Sequence, residues 1–411
     1  MTPFLVSPIA SPPRPGAPCW APVISPVESV RALEGALVSL YRAHVKVLEH
    51  PPDGPLGDAI ASMQQFYADW PYLADEPRPR APEAYLFGRP DIVLSNEGPK
   101  VVETNFDTAV SGYEKPDAAW CLAAERFALH PEAWSGRPLA GLRDHFEQLA
   151  GRAPCLVHWV RTLAAAPECE PILAFLNDNP CGIQHIAHYA GEPARTFSTA
   201  IPGYLHRACT LYTVNRHRAA FEGTLRRLVP FLHAATVPLG LSVLQSKLFL
   251  ACLSDPHTRP TTLTEDEIDA VEAMIPATRT LGQLHGAEWE RVRRSRGDFV
   301  LKRSDSHEGR HVIFGCRLSQ EEWENRLRNL PEERPGPDGV PPIWLVQERV
   351  RPREYSLLEY SEARCMERRT GLSCSPYMFG PHLRGFETWR LPFVPNHEML
   401  EDTNHIGHLF R

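Results

Sequence analysis

The feature that most constrains this chain is a pair of apolar runs, residues 91–95 and 100–105, separated by the turn sequence Ser-Asn-Glu-Gly-Pro. Two short apolar runs around such a turn are typical of a β-hairpin. The hairpin would bring Asp91 on one strand close to Glu103 and Asn105 on the other, since residues two apart on a strand point to the same face. The sequence therefore predicts a compact cluster of oxygen ligands.

Such a cluster suits a magnesium ion. Asp91, Glu103 and Asn105 offer two carboxylates and an amide oxygen, the donors that Mg²⁺ takes when it also holds substrate phosphates. Arg89 lies two residues before Asp91 and is placed to reach the same phosphate. Taken by itself, the hairpin also fits a surface turn with solvated charges, and that alternative stays open on these residues alone.

Two downstream segments have the character of a nucleotide site. A strand predicted at residues 299–302 ends in Lys302, and a polar loop containing Gly309 follows it. A lysine ammonium facing loop N–H donors suits nucleotide phosphates. Residues 343–350 then form an apolar strand that runs into Gln347 and Glu348. Its backbone could pair with an adenine edge, and the glutamate could accept a hydrogen bond from a ribose hydroxyl.

A further lysine, Lys247, lies in the apolar and helical run of residues 241–253. A lone lysine in such a run commonly extends its ammonium to solvent. Binding a phosphate is the other interpretation, and the residues alone leave both open.

These segments resemble the circularly permuted ATP-grasp family, which includes glutathionylspermidine synthetase-like amide ligases. That family shows Arg-x-Asp, a turn and then Glu-x-Asn, with the two acids twelve positions apart, as Asp91 and Glu103 are. The chain continues Asn105-Phe-Asp-Thr-Ala-Val-Ser-Gly, which is also similar. The nucleotide segments come after the hairpin, whereas they come first in ordinary ATP-grasp enzymes. The loop at residues 303–310 holds less glycine than the family's loop.

The resemblance implies an α+β fold in which two lobes with antiparallel sheets sandwich ATP, with a further α/β lobe. The corresponding domains are an N-terminal arm with helices (1–82), the part carrying the metal hairpin (83–150), a substrate lobe (151–238) and the nucleotide-binding part (239–411). It also implies residues that contact ATP, namely Lys247, Lys302, Gly309, Gln347, Glu348 and Val350.

The implied activity is an ATP-dependent, ADP-forming ligation of a carboxylic acid and an amine through an acyl phosphate. ATP and Mg²⁺ are the implied cofactors, Arg89 and Lys302 the catalytic residues, and amino acids or a short peptide the substrates. Two alternatives remain: a non-catalytic nucleotide-binding protein, and an ATP-dependent phosphotransferase. Polar residues near the hairpin and late in the chain are predicted to contact the substrate, although the arginines among them could be solvated strand charges: Asp107, Thr108, Ser111, Arg384 and Arg390.

Composition predicts a cytoplasmic protein of ordinary globular type. The net charge of −7 gives no attraction to nucleic acid or to an anionic membrane, and no apolar run is long enough to span a bilayer. The prolines and the lack of a basic region near the N-terminus argue against a signal peptide. Ten scattered cysteines without a C-x-x-C pair indicate reduced thiols. Homodimer formation is left open.

Apolar spacing predicts helices at residues 32–49, 60–70, 115–129, 139–150, near 221–229 and at 265–274, the last with Thr264 as N-cap. Residues 171–176 form a short apolar run that we interpret as a buried strand. Residues 71–82 form a proline-rich connector.

Overall fold

The protein has a mixed α+β fold, seen here in a computed structural model. Antiparallel sheets dominate, and one parallel sheet accompanies them. The structure describes residues 7–8, 19–20, 22–68, 81–109, 112–129, 136–162, 166–192, 201–209, 213–214, 217–304, 306, 309, 311–330, 343–360, 365–391, 405–406 and 408–410.

The α-helices follow the apolar spacing of the sequence, and the helices predicted from that spacing are confirmed. Short segments of 3₁₀ helix adjoin several of them. In chain order the α-helices are α1 Val27–Glu49, α2 Pro55–Ala68, α3 Glu114–Arg126, α4 Pro138–Leu149, α5 Ala166–Asn177, α6 Arg218–Leu228, α7 Leu248–Ser254, α8 Glu265–Met274, α9 Gly286–Arg294 and α10 Gln320–Asn329.

The strands are mostly short, with two long exceptions near the C-terminal end. In chain order they are β1 Ser7–Pro8, β2 Cys19–Trp20, β3 Val23–Ser25, β4 Phe87–Gly88, β5 Asp91–Ser95, β6 Gly98–Glu103, β7 Leu156–Arg161, β8 Gln184–Tyr189, β9 Gly203–Arg207, β10 Leu232–Ala235, β11 Thr278–Thr280, β12 Phe299–Arg303, β13 Val312–Phe314, β14 Trp344–Glu348, β15 Tyr355–Tyr360, β16 Cys365–Phe379, β17 His382–Leu391, β18 His405–Ile406 and β19 His408–Phe410.

The largest sheet is built around β16. The first part of this strand pairs with β15 and the rest pairs with β17. The second part also pairs with β4 and β5. The hairpin β5–β6 is therefore one edge of this sheet and has a long, buried strand behind it. The predicted hairpin is confirmed, with Asp91 directly opposite Glu103. Strands β1, β3 and β19 form a separate small sheet.

A second antiparallel sheet has the order β11-β14-β12-β13. It has its own apolar core, in which Trp323 and Leu327 of α10 pack with Leu301 and Trp344 of the sheet. Both strands predicted here from the sequence, one ending near Lys302 and one running through residues 344–348, are confirmed.

The third sheet, β10-β9-β7-β8, is entirely parallel. Every residue of its central strand β7 is buried, as expected for a parallel strand covered on both faces. Helices α4 and α5 contribute Phe146, Ile172 and Leu176 to the same core. An α/β unit therefore lies within residues 156–235.

The prediction of a strand at residues 171–176 is wrong, because this segment lies in α5. Ile172, Leu173 and Leu176 are buried, and their i, i+1, i+4 spacing is that of a helix face. Pro171 lies inside the helix, where proline normally costs a hydrogen bond. A six-residue apolar run fits a buried strand equally well, so periodicity alone could not separate the two.

Helix α8 begins with a complete capping box, as its sequence predicts. The Glu267 N–H donates to Thr264 Oγ1 (3.4 Å), and the Thr264 N–H donates to Glu267 Oε2 (2.8 Å). The Lys46 ammonium of α1 donates to the same carboxylate at 2.7 Å. The cap therefore also docks α8 against α1.

No helix among the described residues has both the length and the apolar character needed to cross a bilayer.

Five histidines are buried in or beside the parallel sheet: His145, His158, His185, His188 and His206. Two ring nitrogens, His158 Nδ1 and His188 Nε2, are 3.0 Å apart, and the Trp159 indole N–H donates to His185 Nδ1 at 3.0 Å. Burial lowers the pKa of His145 and of His158 to about 4, and that of His185 to about 3. The imidazoles of His145, His158 and His185 are therefore neutral in the folded protein at pH 7.

The protein should lose stability as the pH falls from 6.5 towards 4. Histidine has a pKa near 6.5 when unfolded, so in this window the unfolded chain binds protons that the folded chain does not. We expect each of His145, His158 and His185 to lower the free energy of unfolding by about 1.5 kcal/mol between pH 6.5 and 5. Urea unfolding at several pH values measures this slope.

The variant His185→Gln should have a shallower slope than wild type, whereas His257→Gln, at an exposed position, should leave it unchanged. A free energy of unfolding that is constant from pH 6.5 to 5 would contradict this prediction.

Candidate active site

The hairpin β5–β6 brings the three predicted metal ligands together. Asp91 lies opposite Glu103, and Asn105 Nδ2 is 3.4 Å from Asp91 Oδ2. Asn105 has a left-handed backbone with φ of +37°, which is uncommon for a residue other than glycine. Its carbonyl accepts hydrogen bonds from the N–H groups of Arg89 (3.2 Å) and Asp107 (3.0 Å). These bonds hold the turn that aims the asparagine at the aspartate.

Strand β6 of the hairpin contains an extra residue, and the carbonyl of that residue contacts Lys302. Asp91 pairs with Glu103, but the next residue, Ile92, pairs with Val101, so Val102 is a β-bulge. A bulged residue is left out of the regular ladder of hydrogen bonds. The Val102 carbonyl instead accepts a hydrogen bond from the ammonium of Lys302, at 2.8 Å.

A residue of the long strand β16 donates a hydrogen bond to the Asp91 carboxylate. Ser375 Oγ donates to Asp91 Oδ1 at 2.8 Å. Burial raises the pKa of Asp91, and the nearby Glu103 adds to this, whereas Arg89 and Lys302 oppose the rise. A cation that binds here would favour the charged form of this carboxyl group.

Lys302 connects the second antiparallel sheet to the hairpin. Its buried ammonium donates to the Val102 carbonyl and, at 2.8 Å, to Gln347 Oε1. The pKa of Lys302 is lowered to about 8, mainly by burial and also by the Lys247 charge, while Glu103 and Asp91 act in the opposite direction. These two acceptors use two of the three N–H donors of the ammonium.

Lys247 lies at a break in the predicted helical run. A 3₁₀ helix, Leu239–Gln245, precedes it, and α7 begins at Leu248. Its side chain is 2% exposed, so the alternative in which the ammonium extends to solvent is wrong. The ammonium lies 3.0 Å from Glu103 Oε1 and donates to the Ser306 carbonyl at 2.5 Å. Lys247 therefore joins the hairpin to the loop that follows β12.

The predicted adenine and ribose contacts have protein partners in this structure. Gln347 is buried, and besides accepting from Lys302 it donates to Thr278 Oγ1 at 3.1 Å. Glu348 forms an ion pair with Arg291 near the surface. Its backbone N–H donates to the Ala277 carbonyl at 2.8 Å, so that donor is used within the protein.

Val350 and Gly309 are the other two residues predicted to contact ATP. Val350 is half-buried just after β14. Gly309 has φ of +68°, and a Cβ there would meet no atom within 4 Å. Four of its loop neighbours, residues 305, 307, 308 and 310, lie outside the described residues, so a contact between this loop and phosphate stays a prediction.

Asp107 and Thr108 are part of a buried network. Asp107 forms an ion pair with Arg207 and accepts from the Thr108 N–H (2.8 Å) and from Ser242 Oγ (3.3 Å). Thr108 Oγ1 donates to the Arg207 carbonyl. Both residues therefore join the hairpin to the carboxyl end of β9, and their contact with a substrate stays a prediction. Arg207 is 100 residues from Asp107, and no local pattern pointed to it.

The two late arginines are not brought into the hairpin cluster. Arg384 packs against Gly141 of α4, and its Nη1 is 3.9 Å from Asp144 Oδ2. Arg390 lies opposite Leu372, and strand alternation places it on the other face of β17 from Glu387. Ser111, the remaining predicted substrate residue, lies outside the described residues.

Sequence reasoning missed the residues that surround Arg89. Glu387 forms a buried ion pair with it, and the rings of Tyr377 and Trp389 flank its guanidinium. These three residues belong to β16 and β17, almost 300 positions away. Only the register of those strands against the hairpin selects them, and the sequence carried no signal of that register.

The donor set at the hairpin fits a hard cation. Mg²⁺ is commonly held by one or two carboxylates together with substrate phosphates and water, which matches Asp91, Glu103 and the amide oxygen of Asn105. In the part of the chain that the structure describes, no group of three or more His, Cys, Asp or Glu side chains could hold a metal ion.

Comparison of the sequence with models of known protein families finds no match, and comparison with curated proteins finds none either. Function has to be inferred from the chemistry of this site.

Removing the ammonium of Lys247 should strengthen the binding of a free divalent cation, since that ammonium lies against Glu103 and competes for it. We expect Lys247→Met to bind Mn²⁺ about tenfold more tightly than wild type without nucleotide, a change of about 1.4 kcal/mol. The EPR signal of free Mn²⁺ measures the affinity.

The matched control is Lys100→Met, since Lys100 lies on the same hairpin but contacts the Ala273 carbonyl and Glu97. That variant should bind Mn²⁺ as wild type does, and Glu103→Gln should lose binding. Equal or weaker affinity in Lys247→Met would contradict the competition.

Proposed function

We propose that this protein is an ATP-dependent, ADP-forming carboxylate–amine ligase with a circularly permuted ATP-grasp architecture. One observation carries the proposal. Two buried lysines, distant in sequence from the hairpin, meet at its carboxylates: Lys247 at Glu103, and Lys302 at the bulge beside it. Cations poised beside a hard-cation donor set are what a magnesium–nucleotide complex requires.

The arrangement of the sheets supports the same function. The β11-β14-β12-β13 sheet carries Lys302 and Gln347, and the β16 sheet carries Asp91 and Glu103. We infer that ATP binds between these two sheets, and that the α/β unit at residues 156–235 contributes to the substrate lobe. The domains 1–82, 83–150, 151–238 and 239–411 are part of this proposal, and the β16 sheet takes strands from the second and the fourth of them.

The proposed reaction has two steps. A substrate carboxylate oxygen attacks the terminal phosphorus of ATP, the bond to ADP breaks, and an acyl phosphate forms. An amine nitrogen then attacks the acyl carbon, loses a proton and expels inorganic phosphate, which leaves an amide. A magnesium ion bound by Asp91, Glu103 and Asn105 would supply positive charge to the phosphate oxygens.

The side chains act mainly by position and charge. Lys302 and Lys247 each have their ammonium fixed by two protein acceptors, so little reorganisation is needed when phosphate oxygens arrive. Arg89 supplies guanidinium donors beside Asp91 for the negative oxygens of either step. Holding the reactants in line and neutralising charge provide most of the acceleration in such transfers.

A second candidate, a nucleotide-binding protein without turnover, is favoured by the loop after β12, where residues 303–310 contain one glycine. Fewer glycines leave fewer positions at which backbone N–H groups can approach a terminal phosphate closely. A phosphotransferase differs from the ligase only in its acceptor.

Mg²⁺-dependent ADP release, assayed with amino acids and amines supplied singly and in pairs, tests the proposed function. Only a pair containing an acid and an amine should give ADP and phosphate, with a product lighter than the two substrates by one water. Glu103→Ala should lower the rate at least about 100-fold because a metal ligand is lost. Lys100→Ala should leave the rate unchanged.

The other outcomes separate the alternatives. ATP binding without ADP release under any pairing would favour the non-catalytic protein. A phosphorylated product without free phosphate would favour the phosphotransferase. Failure to bind ATP would exclude all three.

ATP affinity should fall as the pH rises through about 8. Burial lowers the pKa of Lys302 to about 8, so its ammonium loses its charge above that value, while the phosphates of ATP stay ionised. We expect the Kd to rise roughly tenfold between pH 7 and 9.5, measured by calorimetry. Lys302→Arg keeps its charge and should show no such rise, and a pH-independent Kd in wild type would contradict the prediction.

A further inference from the structure

Arg89 is tied to the hairpin through its backbone. Its N–H donates to the Asn105 carbonyl at 3.2 Å, and Asp91 follows it by two residues. The guanidinium therefore starts beside the predicted metal ligands. The residues that fix the direction of the guanidinium lie on strands β16 and β17.

A buried carboxylate pairs with one nitrogen of that guanidinium. Glu387 is 2% exposed and forms an ion pair with Arg89 Nη1. Tyr377 completes a triangle: Arg89 Nη1 donates to its hydroxyl at 3.4 Å, and the hydroxyl donates to Glu387 Oε2 at 3.4 Å. Burial raises the pKa of Glu387, and the charges of Arg89 and Lys115 oppose this.

Two aromatic rings flank the guanidinium. Arg89 Cζ lies 5.8 Å from the ring centre of Tyr377 and 5.7 Å from that of Trp389, within the range of cation–π attraction. Gly112, at φ of +81°, lies beside the Nη1 nitrogen that Glu387 and Tyr377 hold. A Cβ there would lie 3.7 Å from Arg89 Nη1 and from Glu387 Oε1.

Two residues that face each other on adjacent strands of the large sheet orient Asp91 and Arg89. Ser375 and Glu387 are opposite each other on β16 and β17, and Ser375 holds Asp91 while Glu387 holds Arg89. Ordinary packing does not account for this arrangement. Taking two charges out of water costs about as much as their attraction returns, so a buried ion pair contributes little net stability.

We propose that Glu387, Tyr377 and Trp389 form a cradle that sets the direction of Arg89, with Glu387 as its positioning residue. The cradle holds Nη1 of the guanidinium between the carboxylate and the two rings. In the ligase reaction, the guanidinium oriented in this way would stabilise the negative oxygens of the transferred phosphoryl group or of the tetrahedral intermediate. The catalytic part of this inference rests on the proposed ligase function.

The first test needs no turnover. Arg89→Ala leaves a cavity that retains the carboxylate and both rings, so free guanidinium should bind there. We expect 20 mM guanidinium chloride, compared with 20 mM NaCl, to raise the melting temperature of Arg89→Ala but not of wild type. The double variant Arg89→Ala/Glu387→Gln should show no such rise.

Arg143→Ala is the matched control. Arg143 stacks on Phe175 at 4.8 Å and donates to the Asp178 carbonyl at 3.3 Å, and no carboxylate of the described residues is seen to pair with it. Guanidinium should therefore not stabilise this variant.

The second test uses the ligase reaction. Glu387→Gln should lower kcat 10- to 100-fold and change the KM for ATP less than threefold, since Arg89 would be misdirected while the lysines still hold the nucleotide. Guanidinium should raise the kcat of Arg89→Ala at least tenfold, and this rescue should be absent in the double variant. A merely structural Glu387 would alter the melting temperature and leave the rescue intact.

If Arg89→Ala does not fold, Arg89→Lys takes its place. Glu387→Gln should then lower kcat in wild type but not in Arg89→Lys, because the guanidinium that it orients is already gone.

The outcomes separate the two proposals. If wild type releases no ADP while guanidinium stabilises Arg89→Ala in a Glu387-dependent way, the cradle stands and the ligase function fails. Equal stabilisation of the single and double variants, no stabilisation of Arg89→Ala, or an unchanged kcat in Glu387→Gln would overturn the cradle.

Discussion

Two buried ammonium groups hold the candidate site together. Lys302 donates to the Val102 carbonyl of the hairpin and to Gln347 of its own sheet, and Lys247 lies between Glu103 and the Ser306 carbonyl. A buried cation without partners would cost several kcal/mol, so each contact with the hairpin is strongly favoured. These contacts fix how the second antiparallel sheet meets the hairpin, and the rest of the site depends on that placement.

Opposite charges alternate through the site. Carboxylates at Asp91, Glu103 and Glu387 lie among cations at Arg89, Lys247 and Lys302. Burial shifts the pKa values of Asp91, Glu387 and Lys302 toward their neutral forms, and the opposite charges counter those shifts. Adding either a divalent cation or a phosphate alone would upset this balance. A ligand that brings both together would upset it less, because the added charges partly offset each other, and this is the electrostatic reason for favouring a magnesium–nucleotide complex.

The β16 sheet acts as a rigid support for the hairpin, because Ser375 and Glu387 face each other on adjacent strands and orient Asp91 and Arg89. The parallel sheet is joined to the same region by the buried ion pair between Asp107 and Arg207. A polar network of this kind is costly if only partly satisfied, so it specifies one arrangement of the segments that it connects. The three sheets thus converge on the residues around position 105.

The sequence by itself determined the local structure. The turn between two apolar runs predicted the hairpin and the proximity of Asp91 to Glu103 and Asn105, helical spacing located most helices, and Thr264 predicted the start of α8. It could not choose between helix and strand for residues 171–176, since a short apolar run fits both. Tertiary structure decided the bulge at Val102, the inward direction of Lys247, and the partners Arg207 and Glu387, which lie 100 and 298 positions from the residues they hold. The physical reason is range: periodicity and turn chemistry act over a few residues, whereas strand register and the partners of a buried charge are set by the packing of the whole chain.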